Sequence, residues 1–356
     1  MFWNLENFFD YIDQGTSDSD AEFSSRGALH WTKARFYAKC DAVAKMILWV
    51  GDRYGSLPAV VGFAEVENGW VLRQLVSSTA LKKFGYRIVH YESPDIRGID
   101  VALIYREDVF DLLTSKPCHV YTEYGSVMRT RDILLVSLQE RQSGEVTYFA
   151  VNHHPSKYGG EAISRPKRLA AMTRLRDICD SVAAIEGGWH LDDMMNVEKK
   201  EVDSHSDNAM QDNNEHESWN NILRIIAMGD FNDTPDNPLF GIFGDTMVNK
   251  AYPLYRKGFG TIKYQGKWEL IDMFIISSAM DHIEAEYVSS ENDGGDRKGR
   301  REGDNCNYRM EIIEAPFHIQ RDNAHVGEKP LRTYSGPRYL GGISDHFPIV
   351  LVSTAE

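Results

Sequence analysis

Residues 222–228 read Ile222-Leu-Arg-Ile-Ile-Ala-Met228, a short apolar run followed at once by Gly229-Asp230-Phe231-Asn232-Asp233-Thr234-Pro235. The run reads as a buried strand, and Gly229 as the point where the backbone turns and delivers Asp230 and Asn232 at the strand's carboxyl end. Open α/β sheets bind ligands just beyond the carboxyl ends of their strands. A carboxylate and an amide two residues apart at such an end can hold a water and a phosphoryl oxygen together. Taken alone the stretch is an ordinary strand exit, since Gly, Asp, Asn, Thr and Pro are all turn formers. Its weight comes from other strand ends that carry the same polar cargo.

Residues 1–5 form a short apolar strand ending in Asn4-Leu5-Glu6-Asn7, with Asn4 and Glu6 on one face. Phe36, Cys40, Val43, Ile47 and Val50 step by three and four, the core stripe of an amphipathic helix over 30–50. A strand over 57–65 ends on Glu65, and a helix over 69–78 follows. Strands are read at 86–91, 100–105, 133–138 and 146–152. The last of them runs into Asn152-His153-His154-Pro155-Ser156-Lys157, and the next helix, 163–184, opens with Arg165, Lys167 and Arg168. The plain alternative is a structural histidine beside a solvated basic helix face. Residues 239–255 are poorly periodic, whereas 268–277 reads as a strong strand with Asp272 in its interior. A carboxylate there demands a partner, because burying it unpaired is costly. Finally, Asp345 and His346 introduce an apolar strand ending at Val352.

Two stretches break this pattern. Residues 187–219 are rich in Asp, Glu, Asn, Ser and His and fit no period, so they read as a polar insertion, with His190, His205 and His216 in a solvated loop. Residues 291–307 read as a loop with the basic run Arg297-Lys-Gly-Arg-Arg301. The net charge of −14 argues against a broad nucleic-acid surface, which needs clustered Lys and Arg. Cys40, Cys118, Cys179 and Cys306 lie far apart with no C-x-x-C spacing, which excludes a zinc ribbon or thioredoxin-like pair and makes them reduced core thiols. No run approaches the ~20 apolar residues of a membrane span. The chain therefore reads as soluble, either cytoplasmic or exported after loss of a signal peptide.

Asn4, Glu6, Glu65, His153, Asp230, Asn232, Asp272, Asp345 and His346 are all oxygen or imidazole donors beside expected strands. Such a set suits a hard cation such as magnesium, with histidines to bind a phosphoryl oxygen or move a proton. Metal-assisted phosphoester hydrolysis is the natural class, with Lys157 and Arg165 near His153 to bind substrate phosphate.

The motifs Trp3-Asn4-Leu5-Glu6, Phe63-Ala64-Glu65-Val66, Val151-Asn152-His153-His154-Pro155, Gly229-Asp230-Phe231-Asn232, Leu270-Ile271-Asp272 and Ser344-Asp345-His346 occur in that order. In this the chain resembles the endonuclease/exonuclease/phosphatase family, which includes deoxyribonuclease I. The resemblance covers nearly the whole chain and implies one domain over 1–356 with the insertion at about 187–219. It implies an α/β fold, a four-layer sandwich of two central, mostly antiparallel β-sheets flanked by helices. It also implies Mg2+, or Mn2+ in its place, with Glu65 as principal ligand and Asn4, Glu6 and Asp345 in support. Asp230 would activate the attacking water and Asn232 hold a phosphoryl oxygen. Asp272 would orient His346 to stabilise the transition state, and His153 would face the scissile phosphate.

The chain departs from the family pattern where Ala64 replaces a frequent Gln. In the third motif an Asn-x-His alignment selects His154, while the local His-x-Pro-Ser pattern selects His153, which is preferred. The expected activity is that of a phosphodiesterase or phosphatase acting on a phosphorylated small molecule, a lipid headgroup or nucleic acid. The alternatives are a nuclease and a catalytically silent phosphate-ligand-binding protein on the same fold.

Overall fold

The structure, a computed structural model, describes residues 1–157, 160–186, 223–281 and 308–353. The polar insertion and its histidines, the basic run 297–301 and Cys306 lie outside the described residues. Cys40, Cys118 and Cys179 are buried free thiols.

The strands of the two large sheets are β1 (Phe2–Phe8), β2 (Val60–Val66), β3 (Tyr86–His90), β4 (Asp100–Arg106), β5 (Phe110–Cys118), β6 (Ile133–Glu140), β7 (Val146–His153), β8 (Ile225–Asp230), β9 (Met247–Asn249), β10 (Asp272–Ser277), β11 (Tyr308–Ile312) and β12 (Ile349–Ser353). The first sheet runs β11-β12-β1-β2-β4-β3 and the second β5-β6-β7-β8-β10-β9. Each has one parallel pair at its centre, β1 with β2 and β7 with β8, and antiparallel pairs on either side. The expectation of mostly antiparallel sheets therefore holds, and the parallel pairs carry most of the polar strand ends.

One apolar core fills the space between the sheets, with Phe2, Leu103, Met228, Phe274 and Ile349, and continues under the helix α4 (Glu161–Glu186) through Met172, Leu175 and Ile178. A second core lies between the first sheet and the helices α2 (Lys33–Tyr54) and α3 (Gly69–Ser78). This gives the helix–sheet–sheet–helix layering. α2 buries the expected stripe Phe36, Cys40, Val43, Ile47 and Val50; the Thr32 side chain caps its start, and Gly55 at φ 76° ends it. A short helix, α1 (Asp18–Glu22), precedes it.

Two local readings need correction, and one strand went unread. Gly229 does not turn the chain: it sits inside β8 opposite Asn152, where a Cβ would lie 2.3 Å from the Asn152 carbonyl oxygen. Residues 268–277 are not one strand, because Lys267–Glu269 folds back on Ile262–Tyr264 as a hairpin and β10 starts at Asp272. Asp272 is thus a strand's first residue. Strand β5 gave no sequence pattern because it is an edge strand with Leu112 and Leu113 exposed and Pro117 tolerated there.

Among the described residues, no helix is long and apolar enough to cross a membrane.

Candidate active site

The carboxyl ends of β1, β2, β7 and β8 and the amino ends of β10 and β12 gather at one edge of the sandwich, and Asn4 and Asp230 join the sheets across the seam. The Asn4 Nδ2 donates to Asp230 Oδ2 at 3.0 Å and reaches Glu65 Oε1 at 3.5 Å, while its Oδ1 accepts the Glu6 backbone N–H at 2.9 Å. Glu65 is aimed by a bulge. Ala64 pairs with Val101 and Val66 with Asp100, so Glu65 is the extra residue, and its φ of 61° is left-handed. Its Oε2 accepts the Asn7 N–H at 2.8 Å. Glu6 (φ 49°) and Asn232 (φ 52°) are left-handed too. Non-glycine residues pay about 1–3 kcal/mol for such conformations, so the surrounding structure holds these side chains in place against local strain.

Across the seam, Asp230 and Asp272 are direct partners in the β8–β10 ladder, and both are buried. Like charges opposite one another repel. Burial first, and then Asp272, push the Asp230 carboxyl up to about 7, against the pull of His346. His346 Nδ1 lies 2.7 Å from Asp272 Oδ2, which also accepts the Thr261 hydroxyl at 2.5 Å. Burial is the largest influence and opposes a charge on His346, but the charge and hydrogen bond of Asp272 together with Asp230 and Asp345 hold the imidazole well above its ordinary value. The ring is fixed through its backbone: Ser344 Oγ donates to the Asn4 carbonyl and accepts the His346 N–H, while Trp3 Nε1 donates to the His346 carbonyl at 2.8 Å.

His153 pairs in register with Asp230, and its Nε2 stands 3.7 Å from Asp230 Oδ2 and 3.9 Å from Glu65 Oε1. Burial, with the nearby Arg131 and Arg97, pushes its pKa well down, so the ring is neutral. His154 instead turns into the core, edge-on to Phe231 at 4.9 Å, with neither ring nitrogen hydrogen-bonded. Asn232 lies beneath the centre, its Nδ2 donating to the His154 carbonyl at 2.9 Å and its backbone N–H to Asp230 Oδ1.

Other expected site residues have partners of their own. The Glu6 carboxylate takes Arg332 Nε at 2.8 Å and the Thr333 N–H at 3.0 Å. Asp345 sits on the rim, 3.1 Å from Arg332 and 3.9 Å from His346 Nε2. Lys157 lies 3.6 Å from Asp233, a buried acid also held by the fully buried Arg168, and Arg165 stands on the exposed face of α4. The structure therefore brings together Asn4, Glu65, His153, Asp230, Asp272 and His346, with Asp345 beside them, and does not bring the Glu6, Lys157 and Arg165 side chains among them.

Sequence reading missed Arg131, Arg332, Thr261 and Asp95. Arg131 is buried, donates to the carbonyls of His153 (3.2 Å) and His154 (2.6 Å), and pairs with Asp95 at 3.1 Å, so it fixes the loop after β7. Nothing in the local sequence marks such long-range partners.

The donor atoms suit a hard cation, being carboxylate oxygens with imidazole and no thiolate. Glu65 Oε1 meets the long Asn4 contact and His153 Nε2 at 3.9 Å, and the repulsion that helps to raise Asp230 is what a nearby cation would relieve. Asp230, Asp272 and His346 present donor atoms within 4.8 Å of one another, as do His90, Glu92 and Asp100 at the ends of β3 and β4.

The sequence profile of the Endonuclease/Exonuclease/phosphatase family matches residues 1–223 and 195–354. The chain belongs to that family. Solved structures agree on the family fold. A family member from Bacteroides thetaiotaomicron aligns at a TM-score of 0.51 with 13% identity, over 98% of this chain and 94% of that one. A mannosyl-6-phosphatase from Bacteroides thetaiotaomicron VPI-5482 aligns at 0.50 and 13% identity, over 99% and 98%. A functionally unknown conserved protein from Enterococcus faecalis V583 gives 0.50 and 13%, over 99% of both chains. No curated protein matches the sequence.

Proposed function

We propose that the chain is a divalent-cation-dependent phosphoester hydrolase in which Asp230 takes the proton of an attacking water and the Asp272–His346 pair stabilises the phosphoryl charge. The observation that carries this reading is the arrangement around Asp230 Oδ2. Asn4 Nδ2 lies at 3.0 Å, His153 Nε2 at 3.7 Å and His346 Nε2 at 3.9 Å, with His346 tied to Asp272 on its other nitrogen.

Asn4 holds one oxygen of Asp230 in place, and the carboxyl, poised near neutrality, can accept a proton at ordinary pH. Asp272 fixes the His346 tautomer and balances its positive charge, so that Nε2–H points into the centre as a donor to a phosphoryl oxygen. Neutral His153 adds a hydrogen bond from the opposite side without a second positive charge. Glu65 and Asp345 would hold Mg2+ or Mn2+, with Asn4 orienting Glu65 through its Nδ2, and the cation when bound supplies Lewis acidity at the phosphoryl group. Asp272 is assigned to His346 rather than to the cation because the 2.7 Å contact already engages it. Glu6 serves to position Arg332 and Thr333.

The net charge of −14 favours a small phosphorylated molecule over long nucleic acid. Purified protein assayed with magnesium and with chelator against plasmid DNA, a bis-aryl phosphodiester, an aryl phosphomonoester and sphingomyelin tests the reading. Magnesium-dependent turnover of at least one substrate, lost in His346→Ala, is expected. No turnover by folded protein, with phosphate still bound, would favour the silent binding protein.

A further inference from the structure

The backbone on both sides of Arg332 is anchored. The Ile343 N–H donates to the Leu331 carbonyl at 2.8 Å, and the Thr333 hydroxyl donates to the Ile343 carbonyl at 3.0 Å. The buried Lys39 ammonium donates both to that hydroxyl, at 3.0 Å, and to the Glu6 carbonyl, at 2.7 Å. The segment that carries Arg332 is thus strapped to the one that delivers Asp345 and His346. Its guanidinium reaches the rim of the centre, where Nη2 alone lies 2.6 Å from Glu6 Oε1 and 3.1 Å from Asp345 Oδ2. One nitrogen bridging two carboxylates occupies the place of a cation. We propose that Arg332 is a substrate-contacting residue of this centre, which fills the position of a second cation between Glu6 and Asp345 and holds a non-bridging oxygen of the substrate phosphate. This rests on the phosphoester reading above.

The arginines that serve the scaffold look different. Arg131 and Arg168 are buried, and each spends all three guanidinium nitrogens on the protein: Arg131 on the His153 and His154 carbonyls and Asp95, Arg168 on Asp233, Ser164 and Glu161. The Arg332 side chain is 42% exposed and uses only Nε and Nη2, so its Nη1 has no hydrogen-bond partner among the described residues. That nitrogen offers two N–H groups to an anionic oxygen while the rest of the fork stays on Glu6 and Asp345. Glu6 does not depend on the exposed edge, since its Oε2 takes the Thr333 N–H at 3.0 Å. Asp345 Oδ1 in turn lies 3.9 Å from His346 Nε2, so a phosphate that accepts from His346 has the guanidinium one carboxylate away. A donor fixed before the substrate arrives loses little side-chain freedom on binding, which is what makes such a contact effective.

Calorimetry with inorganic phosphate in magnesium, and kcat/KM for whichever phosphoester the parent turns over, test the assignment in Arg332→Ala. Loss of a charge-assisted bond predicts phosphate binding on the order of 10- to 100-fold weaker. Dilute guanidinium chloride should restore part of both binding and turnover, while sodium chloride at the same concentration should not; a scaffold role predicts no such rescue. Arg332→Lys, which keeps the charge without the fork, should fall between parent and Arg332→Ala, and it carries the test if the alanine variant does not fold. Manganese titration followed by electron paramagnetic resonance should show no tightly bound ion that Glu6→Gln removes, because Arg332 already occupies that carboxylate. Unchanged phosphate affinity and kcat/KM in the folded variants, with the parent active, would overturn the proposal and leave the hydrolase standing, as would a manganese ion lost in Glu6→Gln. If the parent neither binds phosphate nor turns over a phosphoester, both fail.

Discussion

Asp272 acts on two neighbours at once: it raises Asp230 by repulsion and His346 by attraction. The sign of the pH dependence follows. Asp230 must be ionised to take a proton, so kcat/KM should fall on the acid side, and a bound cation should move that limb below the value of about 7 that the carboxyl has without one. His346 must be cationic, so activity should fall on the alkaline side only as pH passes its raised pKa. Asp272→Asn removes both influences, and both limbs of the pH–kcat/KM profile should move to lower pH, read as properties of the coupled group. Turnover should drop roughly 10²- to 10³-fold, as when a transition-state donor is lost. The double variant with His346→Ala should be barely slower than the slower single variant; multiplying losses in folded protein would refute the pairing. Glu65→Gln should unfold at the same temperature as the parent but lose the stabilisation that added magnesium gives it. Unchanged magnesium-dependent stabilisation on thermal scans would remove Glu65 from the cation site.

At the scale of elements, the parallel β7–β8 pair sets His153 opposite Asp230, and Gly229 opposite Asn152 permits that approach. Gly229→Ala should push the strands apart and cost about 3 kcal/mol, measurable by denaturant unfolding. Arg131→Met should cost about 3–5 kcal/mol, because it removes the cation paired with the buried Asp95 carboxylate and its hydrogen bonds to the His153 and His154 carbonyls, of which the latter keeps only Asn232. Adding Asp95→Asn should recover part of that loss, and no recovery would place the cost elsewhere. These elements also show what the sequence could reveal. Strand ends on Asn4, Glu65, His153 and Asp230 were legible because each follows an apolar run and changes character abruptly, and His346 because it stands just before one. The ladder partnership of Asp230 with Asp272, and the clamps of Arg131 on β7 and Arg332 on Glu6, were not, since they join residues far apart in the chain. The start of β10 was misread because apolar residues run on either side of the hairpin join. Left-handed Glu65 and Asn232 also carry no mark in composition, as only the tertiary structure holds them there.

For the whole molecule, the second sheet is built wholly from residues 110–277, while the first combines 2–106 with 308–353. The first sheet's two pieces are stitched together where Phe2 pairs with Ile349. The second sheet is therefore an uninterrupted block set inside the other, and the groups of the proposed active site meet by docking of the sheets rather than through chain connectivity. A circular permutant that joins residue 353 to residue 1 through a short linker and opens between 282 and 307 would present the sheets in succession, first one and then the other. Such ends, adjacent in space, are where rearranged chains fold well. The permutant should unfold cooperatively near the parent's midpoint and keep its turnover, and a folded but inactive permutant would mean that chain order also aligns the seam. If turnover survives, the active edge is a property of an interface, and its two faces become parts that can be exchanged, split and recombined between members of the family.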